Sequence, residues 1–173
     1  MQEAPQFRDF LATDARESHV NAVWFQLLAT AFPFPHYVIA PEYNTTHGRA
    51  DLMVHKVRLD QNEEVTALTP VFAYEGKEKC TEQAFAAIAQ QGKGYIKQDL
   101  PRLYSEWRYG MIAAGEKVAV IATSDGFNIY QVLKPDLTEM ESYYHGIKSW
   151  DIRLNRMEWQ GVLGAIKARA DAI

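Results

Sequence analysis

Apolar and polar residues recur along this chain with two different periods, and the periods predict its helices and strands. The first helix follows a capping-box pattern at Asp14 and Glu17, after which apolar residues recur at helical spacing. Those residues are Val20, Val23, Trp24, Leu27, Leu28 and Ala31. Asn155 and Glu158 form a second such pattern before a closing amphipathic helix. Its apolar positions are Trp159, Val162, Leu163, Ile166 and Ala170.

Between these helices, shorter runs of β-branched, aromatic and aliphatic residues predict a sheet. Strands are predicted over residues 37–40, 47–57, 70–79, 118–122 and 127–133. Polar residues 60–64 predict one turn and residues 124–126 a tight turn. A further helix is predicted over residues 81–91. This order predicts an α/β fold with a central mixed β-sheet flanked by helices, in one domain spanning residues 1–173.

The predicted central strands carry two carboxylates and a lysine. Asp51 lies near the start of its strand, and Glu75 and Lys77 lie on the next one. Because side chains alternate between the faces of a strand, Val71, Ala73, Glu75 and Lys77 are expected on one face. Antiparallel pairing across the polar turn brings Asp51 close to Glu75 in this scheme.

Two neighbouring carboxylates repel each other, and a divalent cation removes that penalty. Carboxylate oxygens are ligands that Mg²⁺ prefers, and its other positions stay open to water and phosphate. Such an ion polarises a phosphate and acidifies a bound water. Lys77 is then placed to orient that water or to neutralise charge developing on the phosphate. The pattern therefore indicates metal-dependent hydrolysis of a phosphodiester.

Three short segments carry a more specific pattern. Residues 48–51 are Gly-Arg-Ala-Asp, residues 75–77 are Glu-Gly-Lys, and residues 91–95 are Gln-Gly-Lys-Gly-Tyr. In this order they resemble the motifs of the PD-(D/E)xK nuclease superfamily, particularly its RecB-type branch. That branch shows G-x-x-D, then D/E-x-K, then Q-x-x-x-Y. The resemblance implies a restriction-endonuclease-like core in αβββαβ order, here with an added strand and a C-terminal helix.

The resemblance also implies residue roles and a cofactor. Asp51, Glu75 and the Gly76 carbonyl would hold Mg²⁺ or Mn²⁺, and Lys77 would be the catalytic lysine. Glu17 would be the extra acidic residue that the superfamily often carries on its first helix, where it helps to bind metal. The capping-box position of Glu17 offers an alternative, local explanation. DNA is favoured over RNA as substrate by the family alone.

By the same resemblance, Gln91 and Tyr95 would be helix residues bordering the site, with Gln91 among the catalytic residues. Gln83 and Gln90 compete with Gln91 for that role. Gly92 and Gly94 lower helix propensity, so Gln91 and Tyr95 share a face only if the helix continues through Gly94.

Two positions of the motifs depart from the family pattern. Ala50 stands where a proline often precedes the aspartate, and Gly76 fills a position that is usually hydrophobic. Weaker acidic candidates for metal binding are Glu42 and Glu78, and residues in such positions are more often simple surface charges. His47, directly before the first motif, is a candidate for contacting phosphate or a metal-bound water.

Composition narrows the class of protein. The chain has 173 residues, of which 47% are hydrophobic, and it contains no apolar run long enough to predict a membrane segment. Its one cysteine, Cys80, excludes an internal disulfide framework and suits a reducing intracellular compartment, cytoplasm or nucleus. The five histidines lack the spacing of a zinc site.

The net charge of −4 means that binding a polyanion requires a local basic patch. Lys93, Tyr95, Lys97 and Arg102 are the candidate nucleic-acid-binding residues. Further basic and aromatic residues lie around them in the sequence: Lys77, Lys79, Tyr104, Trp107, Arg108 and Tyr109. Such a mixture suits phosphate contacts and base stacking. The alternative interpretation is a solvated helix face with aromatic residues in the core.

Two rival functions remain open from the sequence. One is a catalytically inactive descendant of the nuclease fold that binds nucleic acid or a protein partner. The other is structural, with Asp51 capping a turn and Glu75 and Lys77 forming an exposed cross-strand charge pair. If the chain is a nuclease that cuts both strands, a homodimer or a partner would supply the second active site.

Overall fold

The computed structural model describes residues 16–46, 48–78, 81–100, 107–124, 128–142 and 148–173. Six residues named from the sequence lie outside these ranges: Asp14, His47, Lys79, Cys80, Arg102 and Tyr104. The described helices are α1 (Glu17–Ala31), α2 (Glu82–Asp99) and α3 (Arg156–Asp171). The described strands are β1 (Tyr37–Thr45), β2 (Gly48–Leu59), β3 (Val65–Lys77), β4 (Arg108–Ala114), β5 (Lys117–Thr123), β6 (Tyr130–Val132), β7 (Met140–Ser142) and β8 (Trp150–Asp151).

The strands form one mixed, mostly antiparallel sheet. Strands β1 to β7 lie side by side in chain order, and β8 pairs with the edge of β5 near Lys117. Every described pairing is antiparallel except β3 with β4, which run parallel because α2 connects them. The α/β class with a central mixed sheet flanked by helices is therefore confirmed.

The two faces of the sheet bury different helices. Apolar residues of α1 and α3, including Trp24 and Trp159 in edge-to-face contact, cover one face. Helix α2 covers the other face through Phe85, Ile88 and Ile96. Across the residues described, the helices are too short or too polar to cross a membrane.

Strand β3 departs from the predicted alternation at Val71. Val54 pairs with Phe72 and His55 with Pro70, so Val71 is the extra residue of a β-bulge. Val71 packs with Phe72 and Tyr74 on the α1 side, whereas Ala73 packs on the α2 side. The expectation that Val71 shares the face of Ala73 and Glu75 is therefore wrong.

Both predicted capping boxes are wrong in detail. Helix α1 begins at Glu17 itself, with Arg16 as its N-cap, so Glu17 is not the third residue of the helix. His19 holds that position, and its Nδ1 accepts a hydrogen bond from the Arg16 backbone. Asn155 is the N-cap of α3, but its side-chain oxygen accepts from the Asp151 backbone rather than from the helix.

Helix α2 and strand β4 are the elements that differ most from the sequence prediction. The helix continues through Gly92 and Gly94 to Asp99 instead of ending at residue 91. Gly92 is buried against the sheet, and a Cβ at this position would make an ordinary contact of 3.4 Å with Ile121. Strand β4, which local pattern did not predict, lies buried between β3 and β5.

Candidate active site

The candidate site lies where the β2–β3 ladder ends. The last paired residues there are Leu52 and Tyr74, and the same register places Asp51 opposite Glu75. Past Leu52 and Tyr74, a backbone N–H of each strand donates a hydrogen bond to a carboxylate of the other strand. Asp51 N donates to Glu75 Oε2 at 3.3 Å, and Gly76 N donates to Asp51 Oδ2 at 2.8 Å. These reciprocal bonds fix both carboxylates against the opposite strand, so the predicted proximity of Asp51 and Glu75 is confirmed.

The Gly76 carbonyl faces the same side as Asp51. The N–H and C=O of one strand residue point to the same neighbouring strand, and those of the next residue point the opposite way. Lys77 O accepts from Gly115 N at 3.1 Å on the β4 side. The Gly76 carbonyl therefore points toward β2, the side on which its own N–H meets Asp51.

Lys77 bridges Glu75 and the start of α1. Its Nζ lies 3.8 Å from Glu75 Oε1 and 3.2 Å from Glu17 Oε2. Glu17 thus reaches the site through its ion pair with Lys77, which the capping interpretation did not include. Glu75 is only 2% exposed, so the alternative of an exposed charge pair is wrong.

The electrostatics of the site are those of two crowded acids. Burial raises the pKa of Glu75 to about 8, and the charge of Asp51 adds to that rise. Burial also raises the pKa of Asp51, although the hydrogen bond from Gly76 and the charge of Lys77 oppose this. Ionising both carboxylates here therefore costs free energy unless a positive charge compensates them.

The donor set fits Mg²⁺ or Mn²⁺. It offers two carboxylates and a backbone carbonyl, and such ions commonly take one or two carboxylates with waters and substrate phosphate. Within the part of the chain that the structure describes, no group of three or more His, Cys, Asp and Glu residues is arranged to hold a metal. A cation at this site would therefore depend on the Gly76 carbonyl, water and phosphate for its other ligands.

The third motif lies on α2, and its role stays a prediction. Because the helix continues through Gly94, Gln91 and Tyr95 share one face. Gln83, Gln90 and Gln91 are all exposed, so exposure does not choose among them. The side chains of Lys93, Tyr95 and Lys97 lie outside the described residues, as does the whole of Arg102.

Part of the proposed basic and aromatic patch belongs to the core instead. Tyr109 is fully buried and accepts a hydrogen bond from Arg169. Trp107 packs edge-on against Tyr130. Arg108 Nε donates to the Leu100 carbonyl at 2.8 Å.

Arg108 is also distant from the site. Ala114 pairs with Lys77 at the site end of β4, and Arg108 is the first residue of that strand. The six steps along the strand from Arg108 to Ala114 span about 20 Å at strand spacing. The expectations that Arg108 borders the site and that Tyr109 is available for base stacking are therefore wrong.

The weaker acidic candidates lie on the surface. Glu42 is exposed and forms a 3.6 Å ion pair with Arg49, and its φ of 51° lies in the left-handed region. Glu78 is exposed beyond the end of β3. Neither has a described contact with Asp51 or Glu75.

Two site residues were missed from the sequence, Asn21 and Tyr74. The Asn21 side chain lies against Gly76, and its hydrogen bonding opposes the burial that raises the pKa of Asp51. Tyr74 is fully buried, with its hydroxyl beside Gly76. Asn21 could have been found because it lies four residues after Glu17 and hence on the same helix face. Gly76 was a second signal, because a glycine inside a strand often marks the close approach of another group.

Comparisons with known proteins leave the family open. No protein-family model matches the sequence, and no curated protein matches it. The cryo-EM structure of the DrdV–DNA complex is similar to this chain with a TM-score of 0.41 and 12% identity. The similarity covers 96% of this chain and 12% of that one. A likeness this distant carries no argument about function.

Proposed function

We propose that this chain is a metal-dependent nuclease with a restriction-endonuclease-like core, which hydrolyses phosphodiester bonds of DNA in preference to RNA. The observation that carries the proposal is the reciprocal bonding of Asp51 and Glu75 across β2 and β3, with Lys77 beside them. The element order α1, β1, β2, β3, α2, β4 supports the proposed core. The preference for DNA rests on the resemblance of the three motifs.

The proposed role of the two carboxylates is to bind a cation at a fixed position. Because Asp51 Oδ2 and Glu75 Oε2 each accept a backbone N–H, their geometry is set before any ligand binds. The second oxygen of Asp51, the Gly76 carbonyl and Glu75 Oε1, which lies 3.8 Å from Lys77 Nζ, would face the metal. A divalent cation bound there would polarise the scissile phosphate and lower the pKa of a bound water.

Lys77 is proposed to contact the scissile phosphate. Its ammonium group lies between Glu75 and Glu17, so the two carboxylates hold it at the rim of the site. Because this side chain is partly exposed, a phosphate can reach it from solvent. There it neutralises charge that develops on the phosphate and orients the attacking water. Glu17 accordingly acts on Lys77 and needs no direct bond to the metal.

A panel of substrates tests this function. Single-stranded DNA, duplex DNA, branched DNA and RNA are incubated with the protein, with and without Mn²⁺. We expect cleavage of at least one DNA substrate in Mn²⁺ and none in EDTA, with Glu75→Gln inactive. Tight binding of a substrate without cleavage by the wild type in Mn²⁺ would instead support the inactive binding module.

A further inference from the structure

Asn21 of α1 and Tyr74 of β3 form a small polar cluster against Gly76, the residue whose N–H donates to the Asp51 carboxylate. The Asn21 amide reaches that carboxylate, where hydrogen bonding opposes the burial that raises the pKa of Asp51. Asn21 Oδ1 and the Tyr74 hydroxyl are both buried, and neither has a hydrogen-bond partner among the described residues. Buried polar groups are normally satisfied, so two unpartnered ones beside a candidate active site indicate a role other than packing.

Gly76 leaves the space that this polar cluster fills. A Cβ at position 76 would overlap Asn21 Oδ1 and would lie 2.6 Å from the Tyr74 hydroxyl. Any larger residue there would push the Asn21 amide away from Asp51. This accounts for the glycine at a motif position that is usually hydrophobic: the amide occupies the volume that an apolar side chain would fill.

The amide has a direction that suits this arrangement. An amide group has a donating NH₂ end and an accepting oxygen. The Asn21 oxygen lies on the side of Gly76, where the Tyr74 hydroxyl also lies, and this leaves the NH₂ end for the Asp51 carboxylate, which only accepts. Asp51 is thus held from two sides, by Gly76 N–H and by Asn21.

We propose that Asn21, packed against Gly76 and Tyr74, is a positioning residue that orients the Asp51 carboxylate for cation binding. The inference rests on the proposed function, because it assigns Asn21 a task in the same metal site. Residues that hold a metal ligand by hydrogen bonds typically contribute a factor of about 10 to 100 in metal affinity.

Asn21→Leu separates this role from packing. Leucine keeps the approximate volume and removes a buried, unsatisfied oxygen, so thermal stability should stay level or rise. Mn²⁺ affinity, measured by calorimetric titration, should fall about 10- to 100-fold. Cleavage should recover at saturating Mn²⁺, because every ligand to the cation is retained. Gln26→Leu, on the exposed side of the same helix, is the matched control and should leave affinity unchanged.

Gly76→Ala provides a second, independent route to the same result. Its new methyl group should displace the Asn21 amide and lower Mn²⁺ affinity to a similar extent, although the backbone carbonyl remains. Asn21→Ala is measured as a further single variant, and in the double variant Asn21→Ala/Gly76→Ala the losses of these two single variants should not add, because both remove the same interaction.

The possible results separate the two proposals. A wild type that binds Mn²⁺ and cleaves, beside folded Asn21→Leu and Gly76→Ala proteins of undiminished Mn²⁺ affinity, overturns the role of Asn21 alone. A wild type that neither binds Mn²⁺ nor cleaves overturns the proposed function, and the role of Asn21 with it. Reduced affinity in both single variants, with non-additive losses, supports the role.

Discussion

At the scale of single residues, the site depends on where backbone hydrogen bonds are replaced by side-chain ones. The β2–β3 ladder ends at Leu52 and Tyr74, and the carboxylates of Asp51 and Glu75 then accept the next two N–H groups. This exchange holds two acids in a buried position where they repel each other. Charge compensation by Lys77, by a proton or by a cation therefore decides how stable the arrangement is.

The raised pKa of Glu75 predicts that the metal-free protein loses stability as pH rises. The folded-state pKa is about 8 against an ordinary value of 4.5, so the folded state binds more protons between these values. The contribution of this proton on Glu75 to the free energy of unfolding is complete below a pH of about 4.5 and is lost as the pH rises to about 8. Thermal melts in EDTA should show Tm falling across this window.

Glu75→Gln should flatten that profile, whereas the exposed Glu78→Gln should leave it unchanged. Added Mn²⁺ should raise the wild-type Tm most at the upper end of the window, where Glu75 is ionised. A wild-type Tm that is constant or rises across the window in EDTA would contradict the raised pKa.

At the scale of elements, periodicity predicted the helices and the central strands but not the way in which they meet. The apolar positions of α1 and α3 on the sequence are those that pack in the core. The bulge at Val71, the burial of Gly92 against the sheet and the whole of β4 depend on contacts between distant segments, which local spacing does not contain. The length of α2 shows this directly, since packing on the sheet carries the helix through two glycines.

Helix α2 also carries the prediction for nucleic-acid binding. Gly92 lies over Ile112, the partner of Glu75 on β4, whereas Ile96 lies over Gly110, the partner of Ala73. The backbone thus places Lys93 closer to the level of Glu75 than Lys97. Lys93→Glu/Lys97→Glu should weaken DNA binding on several sequences alike. The slope of affinity against salt concentration should fall by about one unit for each phosphate that is no longer neutralised.

A matched charge change on the other side of the sheet controls for net charge. Arg153→Glu/Arg156→Glu alters the total by the same amount, and both arginines are exposed near the start of α3. We expect little effect on DNA binding from that pair. Unchanged affinity of Lys93→Glu/Lys97→Glu at low salt would mean that the lysines form only a solvated surface.

At the scale of the whole molecule, the net charge of −4 opposes binding to a polyanion, so affinity has to arise near the site. The motif residues Asp51, Glu75 and Lys77 could be found from the sequence because their order and spacing are local. Asn21 could not, since its relation to Asp51 exists only after α1 packs on β3. The described residues of one chain form one candidate site, so a homodimer or a partner would be the source of a second site if both strands of a duplex are cut.

The most direct test of the account measures cleavage and Mn²⁺ binding together in Lys77→Ala. Loss of the positioned charge should reduce the cleavage rate on the order of a hundred- to a thousandfold at saturating Mn²⁺. Mn²⁺ affinity should persist, because Asp51 and Glu75 remain, whereas Asp51→Asn should lose both. Lys134→Ala, which removes an exposed lysine paired with Glu139, is the control. A folded Lys77→Ala protein that cleaves at the wild-type rate would contradict the proposed active site.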